Sequence, residues 1–181
     1  MRKIFVFLVF ITSLFSANEY LKNMSLVQLF NKQYYTYICN NRWRYINKYD
    51  GKREDLLSLV AYSCLKKRYL TPALDLAKVL KVTKEGRRNA TYIVTLFLMK
   101  KLIMQVINDR MKIGDIKLPT IKDNTLGIVF YNIEQGNYVF EGNKMVIESD
   151  GVKYAVGISK DHNIVITTYK NGSLLKREYY W

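Results

Sequence analysis

The chain has 181 residues, a formal net charge of +14 and 49% hydrophobic residues, with 15 Tyr, 2 Pro and 2 Cys. This length supports one ordinary domain or two small ones with a core that is stable alone. An aromatic-rich, Pro-poor composition excludes a disordered tail or a low-complexity linker.

The amino terminus carries Arg2 and Lys3, then an apolar run over 4–11, then smaller residues up to Ala17. That is the layout of a secretory leader: a charged start, an apolar stretch too short to cross a bilayer as a stable helix, and a small-residue exit. Residues 1–17 are therefore expected to be a bacterial-type signal peptide cut after Ala17, with Ser16 as second choice, which makes the protein periplasmic. The alternative is an inner-membrane anchor formed by an uncut leader. Cys39 is the first cysteine and stands well inside the remaining chain, which argues against a lipoprotein.

Charge divides the chain unevenly. Residues 18–112 carry 19 Lys and Arg against 7 Asp and Glu, whereas 113–181 carry 8 against 8. The excess predicts an anionic partner for the first half: an acidic protein surface or an anionic envelope component, with contact at the membrane surface as a further option. Nucleic acid is excluded by the export address.

In chain order, 18–112 is predicted to be a basic α-helical domain. Leu26, Leu29 and Phe30 form a helical stripe after a cap at Asn23 or Ser25, and Leu56, Leu57, Leu59, Val60 and Cys64 form another after the Asp50-Gly51 turn. Thr71 and Pro72 are predicted to be the cap and first position of a third helix. A longer helix over 88–109 is apolar on almost every side and is expected at the centre of the fold, since Lys100-Lys101 interrupts the run needed to cross a membrane.

Tyr37-Ile38-Cys39 followed by Arg42-Trp43-Arg44-Tyr45 has a counterpart in Tyr62-Ser63-Cys64 followed by Lys67-Arg68-Tyr69. This pattern resembles the helix-turn-helix repeats of the TPR and Sel1-like families, where small and aromatic residues interlock between paired helices. The resemblance implies a stack of helical hairpins acting in protein–protein interaction. Small exported proteins of this kind look like parts of larger envelope assemblies, such as the periplasmic discs of flagellar motors.

Beyond a connector at 112–124 the period changes from 3.6 to 2. Short strands are predicted over 127–131, 137–140, 144–148, 152–159, 164–169 and 174–180, separated by Gly-containing turns at Gly136, Gly142, Gly151 and Gly172. Residues 113–181 are thus expected to form an antiparallel β meander, with Val152, Tyr154, Val156 and Ile158 on its inner face. The fold class is α+β. Tyr179-Tyr180-Trp181 is expected either to close the sheet against the helices or to form a contact surface.

Cys39 and Cys64 are read as one disulfide, given an oxidising compartment, with two buried thiols as the alternative. The single histidine, His162, lies in a polar turn and leaves a Ser or Cys nucleophile without a base. Carboxylate pairs suited to acid–base work, metal-ligand spacings and phosphate-binding loops do not stand out, so a non-enzymatic protein with no cofactor is expected. The candidate binding surface consists of Arg42, Trp43, Arg44, Lys66, Lys67, Arg68, Arg87 and Arg88, because cations beside aromatics can grip an anionic partner. A lipid or glycan pocket in the β half, or an enzyme with an unfamiliar site, are the competing readings.

Overall fold

In the computed structural model, which describes residues 19–181 apart from Asp115, helices come first and an antiparallel sheet last. The expected leader at 1–17 lies outside the described residues. The chain is α+β, with its β meander at the carboxyl-terminal end.

Ser25 opens α1 (Leu26–Asn31) with a reciprocal cap. Its hydroxyl accepts the Gln28 N–H at 3.2 Å while the Gln28 side chain accepts the Ser25 N–H at 2.9 Å. Leu26 and Leu29 turn inward from there. Helices α2 (Tyr35–Asn40), α3 (Arg42–Tyr49), α4 (Glu54–Lys66) and α5 (Leu70–Ala77) follow in quick succession. The Cys39–Cys64 disulfide ties α2 to α4, with both residues fully buried and their Cα atoms 4.9 Å apart.

Two helix starts differ from expectation, each for an identifiable reason. Helix α5 begins at Leu70, so Pro72 occupies its third position rather than its first. No first-turn N–H has a partner within its own helix, so Pro is tolerated throughout that turn. The Leu70 and Thr71 N–H groups donate instead to the Trp181 carbonyl oxygen, at 3.0 and 3.4 Å. Helix α6 (Lys84–Asp109) begins four residues before the expected Arg88, capped by Thr83. Glu54, in the first turn of α4, builds the start of α6. Its carboxylate accepts the Lys81, Val82 and Thr83 amides at 2.6, 2.6 and 2.7 Å and the Thr83 hydroxyl at 2.6 Å. Thr83 Oγ1 then accepts the Gly86 N–H at 2.9 Å. Gly86 is needed there, because an added Cβ would stand 2.2 Å from Glu54 Oε2.

The predicted strand at 127–131 is a helix, α7 (Thr125–Glu134). Its β-branched and aromatic residues fit a strand by propensity, yet the Asn124 side chain caps it by accepting the Leu126 N–H at 2.9 Å. Leu126, Val129, Phe130 and Ile133 then bury a helical stripe. Gly127 brings this helix against the connector, since a Cβ would fall 2.3 Å from the Ile121 carbonyl oxygen.

Strands β1 (Val139–Glu141), β2 (Lys144–Ser149), β3 (Val152–Ile158), β4 (Ile164–Lys170) and β5 (Ser173–Tyr180) pair in sequence order, all antiparallel. The inner rows run Met145, Val156, Ile166 and Ile147, Tyr154, Thr168, as the expected face of β3 requires. This face packs on α6 and α7 in one core, while α1 to α5 form a second. Helix α6 serves both, with Ile93 in the helical core and Leu96, Met99, Ile103 and Val106 in the sheet core. By length and composition α6 could cross a bilayer, but half of its apolar window is covered by the protein. Lys100 is itself buried there, and burial, with Lys101 beside it, lowers its pKa.

Reducing the disulfide, or replacing both cysteines with Ser, is expected to cost about 3 kcal/mol by releasing a 25-residue loop in the unfolded chain. Urea unfolding with and without reductant measures it. Glu54→Gln is expected to cost about 2–4 kcal/mol at neutral pH, since one carboxylate oxygen becomes a donor facing donors. Burial pushes the Glu54 pKa up, but the Thr83 hydroxyl and the three amides outweigh it and hold the group at about 2. Its folded value lies below the ordinary 4.5, so the stabilisation is complete above that pH and is lost as pH falls toward 2. The gap between wild type and Glu54→Gln should therefore shrink in acid. Equal stability at pH 7 would contradict this role.

Candidate functional site

Arg42, Trp43 and Arg44 follow Cys39 within a few residues, and Lys66, Lys67 and Arg68 follow Cys64 in the same way, so each cluster lies a few residues from a junction whose Cα atoms are 4.9 Å apart. Arg87 and Arg88 stand elsewhere. They lie beside Gly86 at the Glu54 end of α4, separated from Lys66 by about 18 Å along that helix.

Within the paired clusters the side chains divide by task. Arg42 Nε donates to Asp75 Oδ2 at 2.8 Å, tying α3 to α5, and its guanidinium lies 5.4 Å from the Trp43 ring centroid. Arg68 turns inward to Glu178 of β5. Arg87 donates to the Val82 carbonyl at 2.6 Å, and Arg88 pairs with Glu85 at 3.3 Å on the surface. Arg44, Lys66 and Lys67 are exposed, with no ion pair among the described residues. Trp43 is 51% exposed and Tyr62 43% exposed, with Lys66 Nζ 5.1 Å from the Tyr62 ring centroid.

Arg68 belongs to a clasp between the two halves. It takes a left-handed conformation just past α4, and its carbonyl accepts the Trp181 N–H at 3.0 Å. Its Nε donates to Glu178 Oε1 at 2.8 Å. Lys176 Nζ lies 2.9 Å from Glu178 Oε2 as an ion pair and donates to Thr125 Oγ1 at 2.7 Å, bringing in α7. Burial pushes the Glu178 pKa up, but Lys176, Thr125 and Arg68 outweigh it and hold it below the ordinary carboxylate range. Tyr180, fully buried beside them, donates to Asn124 Oδ1 at 3.2 Å, and burial followed by the Glu178 charge pushes its pKa up to about 12. Tyr179 and Trp181 stay exposed and stack at 6.3 Å. Closure against the helices and an aromatic surface thus coexist in the last three residues.

Next to the clasp, α4, α6 and the connector enclose a groove of about 620 Å³. Tyr62, Ser58 and Lys66 line it from α4, Asn89 and Tyr92 from α6, and Asp123 from the connector. Asn89 donates to Ser58 Oγ at 2.9 Å, and the Tyr92 hydroxyl donates to Asp123 Oδ1 at 3.1 Å. Burial, then the Asp123 charge, raises the Tyr92 pKa. Apart from Lys66, these polar residues come from separate segments with no common spacing and are not joined by any sequence pattern.

A second concavity, about 750 Å³, lies on the outer face of the sheet, where Lys153 bridges Glu141 at 3.5 Å and Glu148 at 3.9 Å. His162 is exposed in the turn between β3 and β4. No group of three or more His, Cys, Asp or Glu that could hold a metal occurs among the described residues. No protein-family model, curated protein or solved structure matches this chain.

Glu178→Ala is expected to cost about 2–3 kcal/mol, below the value for a fully buried pair because the Arg68 side chain is 36% exposed. Amide exchange at Leu70, Thr71 and Trp181 should accelerate before exchange in α6 does. Unchanged protection at those three amides would show that the clasp does not depend on Glu178.

Proposed function

We propose that this protein is an exported, non-catalytic adaptor of the bacterial envelope that docks an acidic protein through its helical half. The surface consists of Arg44, Lys66 and Lys67 with exposed Trp43 and Tyr62, and Arg42 and Arg68 hold it in shape from behind. The observation that supports this reading is the Cys39–Cys64 junction, a buried, covalently fixed base that lies a few residues before each of the two cation-plus-aromatic clusters.

Charge and rigidity support the same reading. The 19 to 7 excess of cations over 18–112 steers an anionic surface toward this half, and exposed Trp and Tyr provide contact area at small entropic cost. A leader at 1–17 would deliver the protein to the periplasm, where such a disulfide persists. The hairpin stacking suits a component of a larger envelope assembly.

The test is a crosslinking pull-down of the tagged chain from intact cells beside Arg44→Glu/Lys67→Glu. Both residues are exposed, so the variant should keep the wild-type melting temperature and recover at least tenfold less of a defined protein assembly. Undiminished recovery would remove this face from the function, and recovery of lipid alone would replace the acidic protein with the membrane.

A further inference from the structure

The groove between α4, α6 and the connector shares Tyr62 and Lys66 with the docking face, but its remaining polar lining points to a different ligand. Its volume of about 620 Å³ falls within the usual range for small-molecule sites, roughly 300–1,000 Å³. Ser58 and Lys66 lie at opposite ends of it, about 12 Å apart along α4. Tyr62 offers an aromatic wall between them.

The polar side chains form hydrogen bonds with each other and still have capacity left over. Asp123 Oδ1 accepts from Tyr92, while Oδ2 has no partner among the described residues. Asn89 Nδ2 donates to Ser58 Oγ, leaving Asn89 Oδ1 and the Ser58 proton without one among the described residues. Two acceptors and a donor without such partners therefore line the same groove as one aromatic ring, with the Lys66 ammonium 5.1 Å from that ring's centroid. An acyl chain would leave these groups unsatisfied. A peptide added as a strand would call for exposed strand backbone, and the walls here are helix side chains. A ligand with apolar C–H faces and hydroxyl edges matches both kinds of surface.

We infer that this groove binds a short saccharide, stacked on Tyr62, with hydroxyls on Asp123, Asn89 and Ser58 and an acidic substituent at Lys66. Tyr92 is a positioning residue: its hydroxyl fixes Asp123 Oδ1 and so aims Oδ2 into the groove. The connector that carries Asp123 is itself pinned by the Tyr180–Asn124 hydrogen bond, so the site is formed before the ligand arrives.

Calorimetric titration of the full folded chain with trigalacturonic acid, maltotriose and triglutamate tests this. Trigalacturonic acid should bind saturably, at least tenfold more weakly to Asp123→Asn and to Tyr92→Phe. Lys66→Met should bring its affinity down to that of maltotriose. In the wild type, the Asn89 side-chain amide resonance should shift as sugar is added, a readout that requires no variant to fold. No saturable binding of either sugar, an unmoved Asn89 amide, affinity unchanged in all three variants, or triglutamate binding as tightly as trigalacturonic acid would each overturn the inference. Arg44 and Lys67 do not line the groove, so Arg44→Glu/Lys67→Glu should leave the titration unchanged, and failure of the docking reading remains distinguishable from failure of this one.

Discussion

Helix α6 has to satisfy two cores at once, and the rest of the fold is arranged around that demand. Ile93 packs among α1 to α5, while residues from Leu96 onward pack under the sheet and α7, and Leu65 of α4 touches both groups. Each fully buried Leu or Ile contributes about 1.5–3 kcal/mol. A slip of α6 by one turn would therefore disturb both cores together. Glu54 prevents the slip by fixing the backbone at 81–83 and, through Thr83, the first turn of the helix. A carboxylate from one helix thus sets the register of another, using three consecutive amides that have no helical partner.

The return of the chain completes what α6 begins. Strand β5 ends at the α4–α5 turn, where Trp181 exchanges backbone hydrogen bonds with Arg68, Leu70 and Thr71, and Glu178 receives Arg68. Contacts between 68–71 and 178–181 close the chain over a long separation and join the basic half to the neutral half. The clasp also has a consequence for the groove. Tyr180 holds Asn124, the residue after Asp123, so the position of a groove carboxylate depends on the last strand.

How far the sequence could be read depended on whether the deciding interaction was local. Five of the six predicted strands, the Ser25 cap and the Cys39–Cys64 pairing rest on alternation, turn residues or local spacing, and each is present in the fold. The segment 127–131 satisfies a period of 2 and a buried helix equally well, and the Asn124 cap and the packing of Gly127 on Ile121 separate the two. The start of α6 was placed late because its cap is completed by a residue 29 positions earlier. Of the candidate surface, Arg44, Lys66 and Lys67 are exposed as a binding face requires, whereas Arg42 and Arg68 were indistinguishable from them in sequence. What separates them is a carboxylate from elsewhere, Asp75 for one and Glu178 for the other. The groove was illegible for the same reason, since its polar residues converge only in three dimensions.

That division of the cations bears on the charge asymmetry. The acidic residues of the helical half are mostly committed: Glu54 to backbone amides, Asp75 to Arg42 and Lys78, Asp55 to Arg53, Glu85 to Arg88 and Glu19 to Lys22. Several of these pairs are local surface contacts that add little stability. Their effect is to neutralise the cations beside them, while Arg44, Lys66 and Lys67 are among those of this half that keep their charge unpaired among the described residues. Like charges repel one another, at a cost to the compact state. A covalent tie a few residues from each of them restrains the backbone that carries that repulsion, whereas at the start of α6 Glu85 and the Val82 carbonyl engage Arg88 and Arg87.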